Sequence, residues 1–459
     1  MSRLSAPRTC QTRLPRTFQR AALCLAVLLG SCGLPSPTTL RATSTPTSAP
    51  TAPTPSTIVP TAPAPVPSPG ASYQEQVVAL RAVADQVQRL RGLDARRPLE
   101  ADILSPEGLA HQAQAAFAAA WPDTLLAQHH QLAPFLGLEE ALPVGETAQA
   151  GDPAKIFVAP DGAVFAAAGW LPDPGDTPLA SCAFDRALVM QSFAEASPEA
   201  LARFCPDDLD ACLARRALIA GDAALLGEQW WRTFGGERST LPAVPVDCAA
   251  APADDAPAVP GLSELIGFPA EFGLAFVRAR YLAGGWAAVD AVHADPPQSS
   301  EQILHPERYP KDPPRSPNLD DLSPALGAGW STLDTGVLGE WRTLGALRSY
   351  LEPDEAEQAA AGWGGDRYAI LAGPAPKSEA WLLLTRWDTV RDAHEFFGAF
   401  RSYGEERYGA PRRTSTSLLW ELESGVVVLQ VGNDQTLWIQ APSVEAADAL
   451  RLASGFPLY

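Results

Sequence analysis

The sequence predicts an α+β protein: a mainly helical body carrying one small β-hairpin, followed by a small antiparallel α+β unit. Three patterns predict it. Residues 182–231 carry apolar side chains at helical spacing on two successive segments. Residues 154–167 hold two short strand-like runs around Pro160-Asp161-Gly162. Beyond Asp366 the apolar period changes from helical to alternating. A chain of 459 residues with 46% hydrophobic composition can bury a large core in two or three domains. The expected segments are 1–32, 33–72, 73–335 and 336–459.

Residues 1–32 hold Arg3, Arg8, Arg13, Arg16 and Arg20, no acidic residue, and then the apolar run Ala21 to Leu29. That order is an export signal, and the run is shorter than the roughly 20 apolar residues a spanning helix needs. Leu29-Gly30-Ser31-Cys32 resembles the lipobox of bacterial lipoproteins, which implies that Cys32 carries the acyl anchor. Residues 34–71 contain eleven prolines and a single charge, Arg41. Such a segment buries no core and is expected to be a disordered stalk, reaching up to about 100 Å if extended as polyproline II.

The folded part is expected to open with a helix from Tyr73 to Arg91, stopped by Gly92, and a second over 106–121. His111, His129 and His130 have no carboxylate or cysteine at ligand spacing and are expected at the surface or at helix ends. In 182–231 the first helix buries Ala183, Phe184, Ala187, Leu188 and Met190. The second presents Leu213, Ala217, Ala220, Ala224 and Gly227, a narrow face that lets another helix approach closely. Leu274 to Val292 reads as two helices broken at Gly284-Gly285, with Ser299 or Ser300 capping a short helix that ends near His305. After an irregular stretch, helices are expected over 339–351 and from 352. Strands follow at 367–371, 380–386, 417–422, 426–431 and 436–440, with helices at 390–408 and 444–453.

From Tyr73 onward 28 basic residues face all 53 acidic ones, a net charge of −25. That surface repels nucleic acid and anionic lipid, so the acyl chain is the expected membrane link. Cys182, Cys205, Cys212 and Cys248 cluster in one part of an exported chain, which points to two disulfides. Separation along the chain favours Cys205 with Cys212, leaving Cys182 with Cys248. A four-cysteine zinc site is the competing reading, against which stands the lack of any CxxC pair.

Four blocks carry a resemblance: RGLDARRPLE at 91–100, RALIAGDAALLGEQWW at 216–231, the segment from FPAEFG at 268 to Tyr309, and AGWGGDRYAIL at 361–371. Together they resemble a family of bacterial secreted proteins and lipoproteins with a zincin-like peptidase domain. Its members carry HExxH on one helix and EGD on the next. In register, the two histidines of that motif fall on Phe184 and Leu188, its glutamate on Asp185, and the EGD glutamate on Ala220. Apolar side chains bind no zinc, so the resemblance implies a degenerate metal site with no catalytic residue and no cofactor. The FPYEQG turn of such relatives appears as FPAEFG, keeping Glu271.

No HExxH occurs anywhere, and no phosphate loop, nucleophile elbow, dinucleotide fingerprint or EF-hand loop is found. His293, Asp295, Glu301 and His305 are the one cluster of metal-compatible residue types, set against the plainer reading of caps and loop hydrogen bonds. The expectation is a lipid-anchored extracytoplasmic protein that binds or scaffolds without catalysis. Its candidate groove would use the hairpin edge, Trp230, Trp231 and Glu271 to hold an extracellular peptide or envelope protein. The alternatives are a hydrolase with an unconventional site at His293 and His305, and a structural cell-envelope module without ligand.

Overall fold

The first helix, α1 (Tyr73–Arg91), starts where Ser72 and Glu75 form a reciprocal capping box and stops at Gly92, whose φ of 72° a side chain would resist. The computed structural model describes residues 72–138, 155–169, 177–235, 262–375 and 378–457, all within one unit spanning Ile58–Tyr459. The export signal, Cys32, the stalk and Cys248 lie outside the described residues. Among the described residues no helix is long and apolar enough to cross a membrane.

The protein is α+β. After β1 (Ala101–Leu104) come α2 (Pro106–Ala120) and α3 (Asp123–Leu136), then β2 (Ile156–Val158) and β3 (Val164–Ala167). The expected hairpin forms: β2 and β3 pair antiparallel, with Ile156 opposite Ala166. Its β3 side, however, is taken by β1, paired in parallel, so only the β2 side remains an edge. The strand β1 escapes a sequence reading because four residues show no alternation worth the name; its partner lies some sixty residues on and is decided by packing. Helix α3 was not expected as a separate element, and its His129 is buried at 2% exposure, which corrects the surface placement.

Helices α4 (Thr177–Ser192) and α6 (Leu209–Phe234) flank the short α5 (Pro198–Phe204). The disulfide Cys205–Cys212 ties the start of α6 to the turn before it. Cys182 is disulfide-bonded as well. Helix α6 packs on α7 (Leu262–Ala294), and the close approach falls on Ala217, Gly221 and Gly273: a Cβ on Gly221 would lie 2.1 Å from the Gly273 carbonyl oxygen. Small residues do set that crossing. Gly227, expected on the same face, instead lies against Pro178, Ser181 and Cys182 of α4. The break in α7 falls where expected, with Gly285 at φ 67° and Gly284 also outside helical geometry.

Beyond α8 (Ser300–Leu304) and α9 (Ser323–Leu326), seven strands form the main sheet: β4 (Ser331–Gly336), β5 (Trp363–Ala372), β6 (Glu379–Trp387), β7 (Arg412–Arg413), β8 (Ser417–Leu422), β9 (Gly425–Gly432) and β10 (Gln435–Ala441). Their order is β4-β5-β6-β10-β9-β8-β7, and every paired neighbour runs antiparallel. The sheet begins at Ser331, ahead of the 335/336 boundary.

Helices α10 (Gly339–Arg348), α11 (Pro353–Ala360) and α12 (Val390–Tyr408) cover one face; α13 (Val444–Ala453) and α9 cover the other. The covered face is no separate core. Trp363, Trp381, Phe396, Phe400 and Trp438 belong to one apolar cluster with Leu132 and Leu136 of α3 and Leu213 and Leu218 of α6. The last carbonyls of α3 are also taken up by the sheet unit. Arg407 donates to Phe135 at 3.0 Å, Tyr403 to Leu136 at 3.1 Å and Gln440 to Phe135 at 2.7 Å. These bonds satisfy a helix end that burial would otherwise leave unpaired.

Candidate functional site

The last residue of α1, Arg91, points its guanidinium into the helical body, where its side chain has no solvent exposure. Its Nε donates to Asp222 Oδ1 and its Nη2 to Asp222 Oδ2, both at 3.0 Å, a bidentate pair on the middle of α6. The same Nη2 reaches Asp290 Oδ1 at 2.5 Å. Asp185 of α4 places Oδ1 3.9 Å from Arg91 Nε. His293 Nε2 lies 2.7 Å from Asp222 Oδ2. Trp286 covers the guanidinium at 4.3 Å, and Phe193 stacks on the His293 ring at 4.4 Å.

Local sequence explains how these groups meet. Trp286, Asp290 and His293 follow one another at spacings of four and three, so they share one face of the helix after the Gly284-Gly285 break. The break redirects that face toward Arg91. Burial alone would raise the Asp222 carboxyl, but Arg91 and His293 outweigh it and hold it at about 2. Asp185 has the opposite fate: burial first, and then the neighbouring Asp222 charge, push it well above the ordinary carboxylate range. Neither Asp185 oxygen accepts a hydrogen bond in this geometry. Arg91 Nε, the nearest donor, is already committed to Asp222. Asp185 is therefore biased toward its protonated form beside Asp222, which is held in its ionised form.

The residues expected from the zincin resemblance do not assemble a zinc site. Phe184 and Leu188 are fully buried in an apolar cluster with Leu80, Val83 and Val87 of α1. Ala220 is half-buried on α6 and offers no ligand atom. Only Asp185 joins the polar cluster. A zinc ion needs deprotonated or neutral donors converging on it, whereas here a guanidinium already occupies the middle of the acidic groups. Zinc does not fit these residues.

The candidate groove is corrected as well. Trp230 is 3% and Trp231 7% exposed, both in the apolar cluster around α1 and α4, and Trp230 Nε1 donates to Gln86 at 2.9 Å. Large aromatic faces stabilise a core by about 3 kcal/mol when buried, which decides their placement. Glu271 is exposed, away from them in burial. The cluster of His293, Asp295, Glu301 and His305 does not form. His293 goes to Asp222, Glu301 to Arg308, His305 to Glu340, and Asp295 is exposed.

A second buried polar network, missed in the sequence, lies where the helical body meets the sheet. Asp366 on β5 accepts from the backbone N–H of Leu338 at 2.7 Å and Gly339 at 2.9 Å, and from Trp363 Nε1 at 2.7 Å. It thereby serves the start of α10. Asp210 of α6 accepts from the Ser300 N–H at 3.0 Å, while its other oxygen lies against Gly339, where a Cβ would come within 1.8 Å. Gly339 is the one residue that fits, and its φ of 84° agrees. Burial, aided by Asp208, pushes Asp210 up to about 8 against the Ser300 hydrogen bonds. No spacing rule connects residues 210, 300, 339 and 366, so no sequence signal could have found the set.

Taken together these features define an α+β protein whose polar interior, among the described residues, holds buried ion pairs and hydrogen-bonded carboxylates. Residues 330–451, which hold the main sheet and the helices on it, match a domain of unknown function, DUF8575. The match covers less than half of the chain and is a similarity of that part alone. No curated protein matches the chain, and no solved structure does.

Proposed function

We propose that the chain is a lipid-anchored extracytoplasmic protein whose metallopeptidase-like helical domain binds or scaffolds without catalysis. One observation carries the reading: the side chains at the positions of the two family histidines, Phe184 and Leu188, are sealed in the apolar core and present no lone pair. Asp222 and Asp290 nearby are already hydrogen-bonded to the Arg91 guanidinium, and Asp222 also to His293, so their oxygens are committed within the chain. The hydrolase alternative at His293 and His305 has less support, because the two imidazoles face different carboxylates.

The purified chain is expected to hold no stoichiometric zinc and to cleave no peptide. About one zinc per chain, lost to a chelator together with hydrolytic activity, would overturn the reading. Retention of an envelope protein on an affinity column carrying the chain separates a binder from a structural module. The anchor is tested independently: the native protein should enter the detergent phase, and Cys32→Ser should release it or leave it unprocessed. Unchanged partitioning of that variant rejects the anchor.

A further inference from the structure

Arg216, one turn beyond Cys212 on α6, is a buried cation that faces sulfur instead of carboxylate. It is 8% exposed. Its Nε donates to Cys212 Sγ at 3.3 Å, and its Nη2 lies 4.0 Å from Cys205 Sγ while donating to the Ala120 carbonyl at 2.6 Å. The Trp121 ring covers the guanidinium at 4.5 Å. Its contacts among the described residues are thus two sulfurs, a carbonyl and an aromatic face, with no carboxylate among them. Burial first, and then the like charge of Arg186 on α4, push Arg216 down to about 10.

A buried guanidinium without a counter-charge is unfavourable, and Arg91 shows the usual remedy in this same fold, with Asp222 and Asp290 beside it. A disulfide sulfur carries no charge and accepts hydrogen bonds weakly. A thiolate at Cys212 supplies the counter-charge at the atom toward which the Arg216 Nε–H already points.

We propose that Cys205–Cys212 is a site of thiol–disulfide exchange with a dithiol, and that Arg216 stabilises its reduced form by pairing with a Cys212 thiolate. A thiolate of the dithiol attacks Cys205 Sγ, the S–S bond breaks, and Cys212 leaves with the electron pair as the thiolate beside Arg216. The second sulfur of the dithiol, also as thiolate, attacks the first in the mixed disulfide and expels Cys205, which takes up a proton. Two electrons pass to the protein and the dithiol ends as a disulfide. Of its two protons, one is on Cys205 and one in solvent. Cys205 and Cys212 are 2% and 0% exposed, so exchange needs a local opening. The segment that opens is short: Cys205 caps the seven-residue α5, and the turn after it has Asp207 exposed and Pro206 and Asp208 half-buried. The proposal is independent of whether the helical domain cleaves peptides.

The test equilibrates the full-length chain, and an Arg216→Gln variant, in mixtures of reduced and oxidised dithiothreitol, followed by alkylation and trypsin digestion. Both cysteines fall in one peptide, residues 204–215, apart from Cys182, so mass spectrometry reads this bond by itself. Expected is reduction of the native bond with the circular dichroism of the folded chain retained. The equilibrium constant for reduction should fall about 10-fold in Arg216→Gln. A second readout is absorbance at 240 nm of the reduced native chain against pH, taken as the difference from Cys212→Ser. The Cys212 thiolate should form below the ordinary thiol value of about 8.5. Equal equilibrium constants in native chain and Arg216→Gln overturn the proposal. So does reduction that occurs only as the chain unfolds. Where Arg216→Gln does not fold, the pH profile decides, and a Cys212 thiol that titrates at about 8.5 or above overturns the proposal.

Discussion

Asp222→Ala should destabilise the protein by about 3–5 kcal/mol, the largest effect expected of any single substitution outside the apolar core. The reason is the charge it strands. Asp222 takes two of the three hydrogen bonds of the Arg91 guanidinium and the one contact of His293 Nε2, all out of water. Without it Arg91 keeps one hydrogen bond, to Asp290, whose side chain is 35% exposed, and only the more distant Asp185 at 3.9 Å, while the His293 ring is left stacked on Phe193. Asp185→Asn should behave differently. Burial and the Asp222 charge push that carboxyl well above the ordinary range and neither of its oxygens accepts a hydrogen bond, so an amide of the same shape should change stability by less than about 1 kcal/mol. Urea unfolding of both variants checks the pair. Equal losses would mean that Asp185 is ionised and that the cluster is held in another charge state.

Stability should fall as pH rises from about 5 to 9, the second large effect. Asp210 is held at about 8 and Glu301 at about 9, chiefly by burial, and Asp185 and Asp366 are also raised by burial. In the unfolded chain each of these acids loses its proton near pH 4. Between that pH and the folded value the native state keeps a proton that the unfolded state has lost, so the slope of stability against pH is negative. Each group contributes up to about 1.4 kcal/mol per pH unit over that window. Asp222 works in the other direction, but its folded value of about 2 confines its effect to strongly acidic solution, where falling pH removes its contribution. Urea midpoints measured from pH 5 to 9 in the presence of chelator should decline, and Asp210→Asn should flatten the decline. A midpoint that is level or rises over this range contradicts the assignment of neutral acids at Asp210 and Glu301.

Periodicity sufficed wherever an element buries one face and ends in a strong local signal. The helix α1 was legible from its apolar stripe and Gly92, the break in α7 from Gly284-Gly285, and β6, β8, β9 and β10 from short runs rich in Leu, Val, Ile and Trp. Strands β1 and β4 were not, because neither shows a clean buried face: the exposure of β4 alternates only at its end, and its pairing with β5 shifts register at Leu333. The degenerate positions could be aligned by motif, and their apolar character was already decisive against a zinc ligand set.

By itself the sequence determined the α+β class, the order of most helices and strands and the lack of metal donors at Phe184, Leu188 and Ala220, and it favoured the Cys205–Cys212 pairing that the structure contains. Those properties depend on residues near one another in the chain or on side-chain chemistry alone. Only the tertiary structure decided that Arg91 meets Asp222 and Asp290 across 131 and 199 residues, that Trp230 and Trp231 go inward, and that Glu301, Asp312 and Asp388 converge. A charge buried in a protein must find its counter-charge wherever packing brings one, and no local pattern in the chain records that distance.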